Sequence, residues 1–591
     1  MEHNMILSAS GWRKIFTEDK DGESTTKEIG NDNKILSYLI GTTFSEYIKT
    51  ATRKNSPEVV IATDTRPTGA EIARVILNAC TCSGIKCIYL GYAAAPEIMA
   101  YAKNFDGFIY ISASHNPVGH NGIKFGLSDG GVLEGSEAKK VIENFKKKCA
   151  DISEGEQNAL LKKLEGIPAV GAAKYYKKQS LKSYEKFIRH VITGCEKPAA
   201  QKVVFNEIKK SMKKNRISIC CDMNGSARAA SIDKKFLSSC KIELRSFNDI
   251  PGQIVHAIIP EPENLVHCAA KMQEAHALNP DDSCVLGYMP DCDGDRGNIV
   301  FWNEKTKKAE PITAQEVFAL CVMAELSFEY WKNASAKDLA VAVNCPTSMR
   351  IDEIAAALGA KVFRAEVGEA NVVNLAREKR AEGFNVRIFG EGSNGGNITY
   401  PSAVRDPVAT IFAMVKLLSL RDTKYGEGLF HIWCKKSGQE NKYRDDFTLA
   451  DVIETLPAYT TTGVSEDRAV LQVNMKDKGK LKENFKVAFE NFWSENKVAF
   501  EADGIFGWTC CLTNGTKETV GEENWNNANG GLKIRFHDRN EKPVAFIWMR
   551  PSGTEPVFRV MCDVKGNNAD LEKKLLQWET EVLQKSDRQS F

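Results

Sequence analysis

Gly107-Phe108-Ile109-Tyr110-Ile111-Ser112-Ala113-Ser114-His115-Asn116-Pro117 passes from an apolar run into a polar turn within a few residues. Its first five residues have the length and composition of a buried strand. Asn116-Pro117 ends the run, because proline turns the residue before it away from helical backbone. A buried strand feeding a polar turn places Ser114 at the mouth of a sheet, where ligands of open α/β sheets bind. We therefore expect Ser114 to be the group through which a phosphoryl passes. Ser, Asn and Pro are also ordinary turn formers, so the assignment depends on what the rest of the chain supplies.

Outward from this stretch one local pattern recurs. The runs Glu58–Ala62, Arg216–Cys221 and Leu339–Val343 each lead into a polar loop: Thr63-Asp64-Thr65-Arg66, Asp222-Met223-Asn224-Gly225 and Asn344-Cys345-Pro346-Thr347. Helical stretches follow, from Gly69 to Ala79, toward Leu237 and to Leu358. Strands alternating with helices imply parallel βαβ units and right-handed crossovers. The lysine-rich stretch 139–216 is helical in pattern, with interruptions expected at Gly155 and Gly166-Ile167-Pro168. A helix is expected to open at Thr313, with Glu316 completing a capping box. Tyr459-Thr460-Thr461-Thr462-Gly463 reads as a break. Beyond it come a helix over 481–493, short strands near 504–508, 532–536 and 545–548, and a last helix over 568–583. The predicted domains are 1–180, 181–310, 311–458 and 459–591: three related α/β domains and a smaller C-terminal α+β domain.

The whole chain sets the frame. A length of 591 residues accommodates three to five domains, and 43% apolar with 26% charged residues is an ordinary globular composition. A net charge of +2 argues against nucleic acid or a membrane surface as main partner. The N-terminal residues carry no apolar signal segment, and no apolar run is long enough to span a bilayer. Seventeen scattered cysteines without zinc-ligand spacing point to reduced, buried thiols and a cytoplasmic location.

Three clusters carry chemistry. In Pro290-Asp291-Cys292-Asp293-Gly294-Asp295-Arg296, alternate aspartates in a glycine-containing turn aim three carboxylates at one point. That donor set suits a hard divalent cation, with remaining positions left for water or phosphate. No Glu stands at the twelfth position, so the loop is not an EF-hand. Arg550-Pro551-Ser552-Gly553-Thr554-Glu555-Pro556, with Arg559 beyond it, offers hydroxyls, backbone N–H groups and two guanidinium forks to an anion. Glu391-Gly392-Ser393-Asn394-Gly395-Gly396 offers hydrogen-bonding groups suited to sugar hydroxyls, yet alone it reads first as a glycine-rich loop without a ligand. Asp64-Thr65-Arg66, Ser10–Lys14 and Asn121-Gly122-Ile123-Lys124 read singly as surface charges, although a partly desolvated Lys124 could act as acid or base.

Together these pieces, in this order, resemble the α-D-phosphohexomutase superfamily of phosphoglucomutases and phosphomannomutases. The resemblance implies four domains around a central cleft. It also implies a phosphorylated Ser114, with Lys124, His115 and Arg13 as its catalytic company. Magnesium would be held by Asp291, Asp293, Asp295 and the phosphate on Ser114. Arg296, Gly368, Glu369, Glu391, Ser393, Asn394, Arg550, Ser552, Gly553, Thr554 and Arg559 would bind substrate. The implied reaction interconverts hexose 1-phosphate and hexose 6-phosphate of glucose or mannose, activated by the hexose 1,6-bisphosphate, in a monomer or weak dimer. A glucose-1,6-bisphosphate synthase, a phosphoglucosamine mutase and a silent phosphosugar-binding homologue are the alternatives. Three departures bear on the sugar: Gly297 after Arg296, one extra residue in the 391–396 loop, and Glu369 where some members carry His.

Overall fold

The structure, a computed structural model, describes residues 2–521, 525, 530–551 and 557–588. They form two compact units, one of residues 1–313 with 398–420, the other of 314–397 with 421 onward.

The first unit contains two sheets. In one, Glu58–Thr63 pairs in parallel with Lys86–Tyr92 and Gly107–Ile111. Parallel neighbours need crossovers, which the helices Gly69–Cys82 and Ala95–Ala102 supply. Gly107–Ile111 is buried along its whole length, as its unbroken apolar run predicts. The next strand, His120–Leu127, returns antiparallel and sets Lys124 opposite Tyr110. Gly11–Ile15 then joins its outer edge with Arg13 opposite Gly122. Register alone therefore brings Arg13, Lys124 and the turn after Ile111 to the same part of the sheet.

The other sheet is centred on Ser218–Asp222, parallel to Glu243–Phe247 and to Cys284–Pro290. Gly297–Asn303 runs back antiparallel to Cys284–Pro290, with Pro290 opposite Gly297. Asp291–Arg296 is thus a short connection between two buried strands, as expected. The lysine-rich stretch forms the helices Gly135–Asp151, Glu154–Glu165, Lys174–Thr193 and Pro198–Lys214. Its first interruption falls at 152–153, not at Gly155: Ser153 caps the second helix in a reciprocal capping box with Glu156, and Gly155 lies inside it.

In the second unit, Leu339–Asn344 lies between Lys361–Ala365 and Asn385–Gly390, all parallel. The helix expected from Thr313 runs over Ala314–Lys332. The C-terminal sheet is antiparallel: Val557–Lys565, Pro543–Pro551, Gly531–His537, Gly507–Asn514 and Lys517–Val520 pair in that order. Tyr459–Thr461, read from sequence as a break, is a strand on the outer edge of Val557–Lys565. Tyrosine and β-branched threonines favour the pleated surface, and Tyr459 is buried there. The helices Lys478–Glu495 and Ala569–Arg588 cover this sheet over a core that includes Phe485, Phe489, Phe558 and Leu583.

The architecture is α/β throughout, with an antiparallel C-terminal sheet. All seventeen cysteines are free thiols, buried except for Cys82, Cys87 and Cys195. Among the described residues no helix is long and apolar enough to cross a membrane.

Candidate active site

The strand Gly107–Ile111 ends in a turn whose backbone is unusual. Ser114 has φ +56°, in the left-handed region that non-glycine residues seldom enter. The turn is held from within: the Ser114 N–H donates to Ser112 Oγ at 2.9 Å, and the Ser112 hydroxyl bonds the Asp64 carboxylate. This conformation buries Ser114 and lets its hydroxyl donate to Asp291 Oδ2 at 2.8 Å. Two loops 177 positions apart in sequence thus meet at the serine oxygen.

Arg66, read from sequence as a surface charge, is fully buried and organises this turn. Its guanidinium donates to the carbonyls of Ser114 at 2.7 Å and Asn116 at 2.6 Å, and to those of Pro117 and His120. Its Nε pairs with Asp64 at 3.1 Å. Burial pushes the Asp64 carboxyl up, and Arg66 works against that shift. The sequence signal was present in the polar loop after a buried strand, but one arginine there does not reveal which carbonyls it will gather. Replacing Arg66 with methionine strands Asp64 without its counter-ion and frees several carbonyls, so it should cost about 3–5 kcal/mol in urea unfolding. The double variant with Asp64→Asn should lose less than the sum of the single losses.

The acidic loop lies on the same side. Asp291, Asp293 and Asp295 are buried, and one ligand oxygen from each lies within 4.8 Å of the others. Lys124 Nζ donates to Asp293 Oδ2 at 2.7 Å and lies 3.5 Å from Asp295 Oδ2. Arg405 bonds both Asp295 oxygens at 3.3 and 3.4 Å. Asp291 Oδ1 accepts the Arg296 N–H at 3.1 Å. Burial, reinforced by the charges of Asp293 and Asp295, pushes the Asp291 carboxyl well above the usual range. Burial also acts on Asp293, but Lys124 outweighs it and holds that carboxyl at about 2. Asp293 Oδ1 is buried and accepts no hydrogen bond. Crowded carboxylates with an orphaned oxygen are what a divalent cation satisfies, so the residues present fit one.

Glycines shape this loop. Gly294 has φ +67°, and a Cβ there would come within 2.4 Å of Arg228 Cδ. A Cβ on Gly297 would meet Pro407 Cβ at 2.8 Å, which accounts for glycine at that departure from the superfamily pattern.

Arg13 and His115 complete the cluster. Burial and then Arg296 lower the Arg13 pKa, while Asp293 and Asp295 oppose the shift. The charge of Arg296, followed by burial and by Arg13 and Arg405, holds the His115 imidazole well below its ordinary pKa, so it is neutral. His115 Nδ1 is buried without a hydrogen-bond partner.

The remaining candidates fall in the second unit. The Glu391 carboxylate accepts from Asn344 Nδ2 at 3.1 Å, the Gly368 N–H at 2.8 Å and Asn394 Nδ2 at 3.1 Å. Ser393 Oγ is 3.5 Å from Asn344 Nδ2. Gly368 precedes the helix Glu369–Ala381, whose first residue is Glu369. Glu391, Ser393, Asn394 and Gly368 are therefore gathered around the C-terminal ends of parallel strands. Arg550 and Arg559 lie directly opposite each other on adjacent strands. Like charges facing across a sheet are unfavourable unless an anion joins them. Ser552, Gly553 and Thr554 lie outside the described residues. Glu366, not singled out from sequence, pairs with Arg550 Nε at 2.9 Å.

Fold and site define an α/β protein in which a serine hydroxyl faces a buried cluster of three carboxylates. Residues 6–151 match the family model for phosphoglucomutase/phosphomannomutase α/β/α domain I, and residues 316–433 that for domain III. A phosphoglucomutase/phosphomannomutase of Thermococcus kodakarensis is 27% identical over 66% of this chain and 74% of its own. A phosphoglucosamine mutase of Bartonella quintana is 25% identical over 58% of this chain and 64% of its own. The crystal structure of a phosphoglucomutase/phosphomannomutase family protein of Burkholderia thailandensis aligns with a TM-score of 0.61, at 16% identity, over 99% of both chains. Residues 6–151 and 316–433 are thus similar to domains I and III of the phosphoglucomutase/phosphomannomutase family, and the fold is shared with solved proteins of that family.

Proposed function

We propose that the protein is a phosphohexomutase that interconverts hexose 1-phosphate and hexose 6-phosphate, with Ser114 carrying the phosphoryl group. The observation behind this reading is the 2.8 Å hydrogen bond from the buried Ser114 hydroxyl to Asp291, beside Lys124 and two further carboxylates. A structural serine has no need of a left-handed backbone aimed at three acids.

Phospho-Ser114 gives its phosphoryl group to the free hydroxyl of a hexose monophosphate. The bond from phosphorus to the serine oxygen breaks as the bond to the sugar oxygen forms. Lys124 relays the proton of that hydroxyl to the departing serine oxygen, yielding a bisphosphorylated sugar and a free Ser114 hydroxyl. The sugar then presents its other phosphate, which returns to Ser114 by the reverse of the same step. Asp291, Asp293 and Asp295 would hold Mg2+, which neutralises charge on the transferring group. Arg13 and Arg296 line the serine with positive charge, and neutral His115 offers a hydrogen bond without adding a cation. Glu391, with Ser393, Asn394, Gly368 and Glu369, would bind sugar hydroxyls. Arg550 and Arg559 would hold the phosphate that is not reacting. The hexose 1,6-bisphosphate would activate the enzyme by phosphorylating Ser114.

Glucose and mannose phosphates are the first substrates to test, and glucosamine phosphate the second, since relatives of similar identity are named phosphoglucosamine mutases. A coupled assay across the three sugar 1-phosphates, with Mg2+ and with or without the matching bisphosphate, should give turnover that the bisphosphate raises. Absence of turnover with all three, for a chain shown to be folded, would sink the reading.

A further inference from the structure

Glu366 occupies a position that the proposed reaction does not require it to fill. It follows the strand Lys361–Ala365 and is buried. Its carboxylate accepts three hydrogen bonds and forms one ion pair. Oε1 accepts the Val367 N–H at 2.9 Å and lies 2.9 Å from Arg550 Nε. Oε2 takes the Thr513 hydroxyl at 2.8 Å and the Gly531 N–H. Its own N–H donates to the Gly515 carbonyl at 2.8 Å. One side chain therefore joins the loop after Lys361–Ala365 to three strands of the C-terminal sheet.

Two features give this junction a role in binding. The first is the edge of Arg550 that it uses. Glu366 pairs with Nε, and among the described residues no other partner of the guanidinium is seen, while a third of the Arg550 side chain is exposed. A guanidinium fixed on one side by a carboxylate presents its remaining donors in a set direction, which is how an arginine fork is pre-organised for phosphate. The second is the loop itself. Consecutive N–H groups of Val367 and Gly368 are bound by two different glutamates, Glu366 and Glu391. A shift of Glu391 against a sugar is thereby carried through one peptide to the carboxylate that orients Arg550.

We propose that Glu366 is a positioning residue that aims Arg550 at the substrate's non-reacting phosphate and ties that aim to the sugar-binding loop. The inference rests on the mutase reading, because it takes Arg550 as a phosphate ligand. Lys482 is consistent with this wiring: burial, and then the opposing charges of Glu366 and Arg550, leave its pKa at about 8, so the buried carboxylate has a second cation nearby.

The test is a double-mutant cycle of Glu366→Gln and Arg550→Lys, read as kcat and KM for the preferred hexose 1-phosphate. Glu366→Gln keeps the shape, loses the charge and puts a donor against one of its present donors. Losing the orientation of one charge-assisted phosphate contact should raise KM roughly tenfold. We expect kcat at saturation to stay close to that of the wild type. In the Arg550→Lys background the same change should add little, since the fork it aims is gone. Full additivity, or a loss confined to kcat, would overturn the proposal and leave Glu366 as a structural clamp. If Glu366→Gln does not fold, Glu366→Asp keeps the charge but withdraws the oxygens from Arg550, and the same split is read from it in both backgrounds. A wild-type chain with no mutase activity would overturn the mutase reading and this inference together; an active wild type with an additive cycle would overturn the inference alone.

Discussion

Ser114→Ala is expected to abolish interconversion of hexose 1-phosphate and 6-phosphate, by at least about 10^4-fold, as removal of a covalent carrier does in other enzymes. Alanine has no oxygen to carry the phosphoryl group, and the Ser112 hydroxyl donates elsewhere, to Asp64. The fold should survive. The lost interaction is one hydrogen bond to Asp291, whose other oxygen still accepts the Arg296 N–H. The backbone contacts that hold the turn, four carbonyls on Arg66 and the Ser114 N–H on Ser112, do not involve the lost hydroxyl. Serine already bears the left-handed backbone at φ +56°, so alanine adds no strain there, and losing one hydrogen bond should lower stability by about 1 kcal/mol, visible as a modest fall in urea midpoint. The decisive pair of measurements is turnover and mass. Wild type incubated with hexose 1,6-bisphosphate should gain one phosphoryl group on the peptide containing Ser114, and the variant should gain none. A variant that turns over at the wild-type rate, or wild-type phosphorylation at another residue, would remove Ser114 from the mechanism.

What was legible in advance followed from local chemistry. The strand Gly107–Ile111 and the hairpin around Asp291–Arg296 declare themselves through apolar runs bounded by polar turns, because burial on both faces leaves no alternation to misread. The acidic triad was legible because alternate residues of a tight turn face one way. Arg66 and Glu366 were not. Each is a single charge whose partners include backbone groups of distant segments, the Ser114 and Asn116 carbonyls for Arg66 and the Gly531 N–H for Glu366, and those groups carry no side-chain signal. Tyr459–Thr461 misled for a related reason: three threonines after a tyrosine read as polar, while a neighbouring strand 100 residues later supplies the ladder that makes them a strand. The capping box at Ser153 shows the reverse error, since Gly155 drew the eye from the hydroxyl that starts the helix.

Asp293→Asn carries the second large effect, because Asp293 stands where the charges of this site divide. One oxygen pairs with Lys124 and the other is buried with no partner, between two further carboxylates. Asparagine keeps the shape and removes the charge. A pocket of three anions then becomes one of two, and a hard cation binding through oxygen loses both charge and a ligand. Turnover should fall by roughly 10^3-fold, the scale of losing a charge-stabilising group in group transfer. Lys124 loses its nearer anion and keeps Asp295 at 3.5 Å, so its ammonium is less firmly placed as well. A readout independent of turnover separates these effects. Mg2+ at a hundredfold excess over its dissociation constant should stabilise the wild type by about 2.7 kcal/mol, seen as a rise in thermal midpoint that chelation reverses. The Asp293→Asn chain should show little of that rise. Without metal it should be less stable than wild type, because burial is outweighed by Lys124, which holds the Asp293 carboxyl below its ordinary range in the folded chain, and asparagine removes that buried ion pair. A variant that keeps the full Mg2+ response while losing turnover would assign Asp293 to Lys124 alone, and one that keeps both would exclude the triad as the cation site.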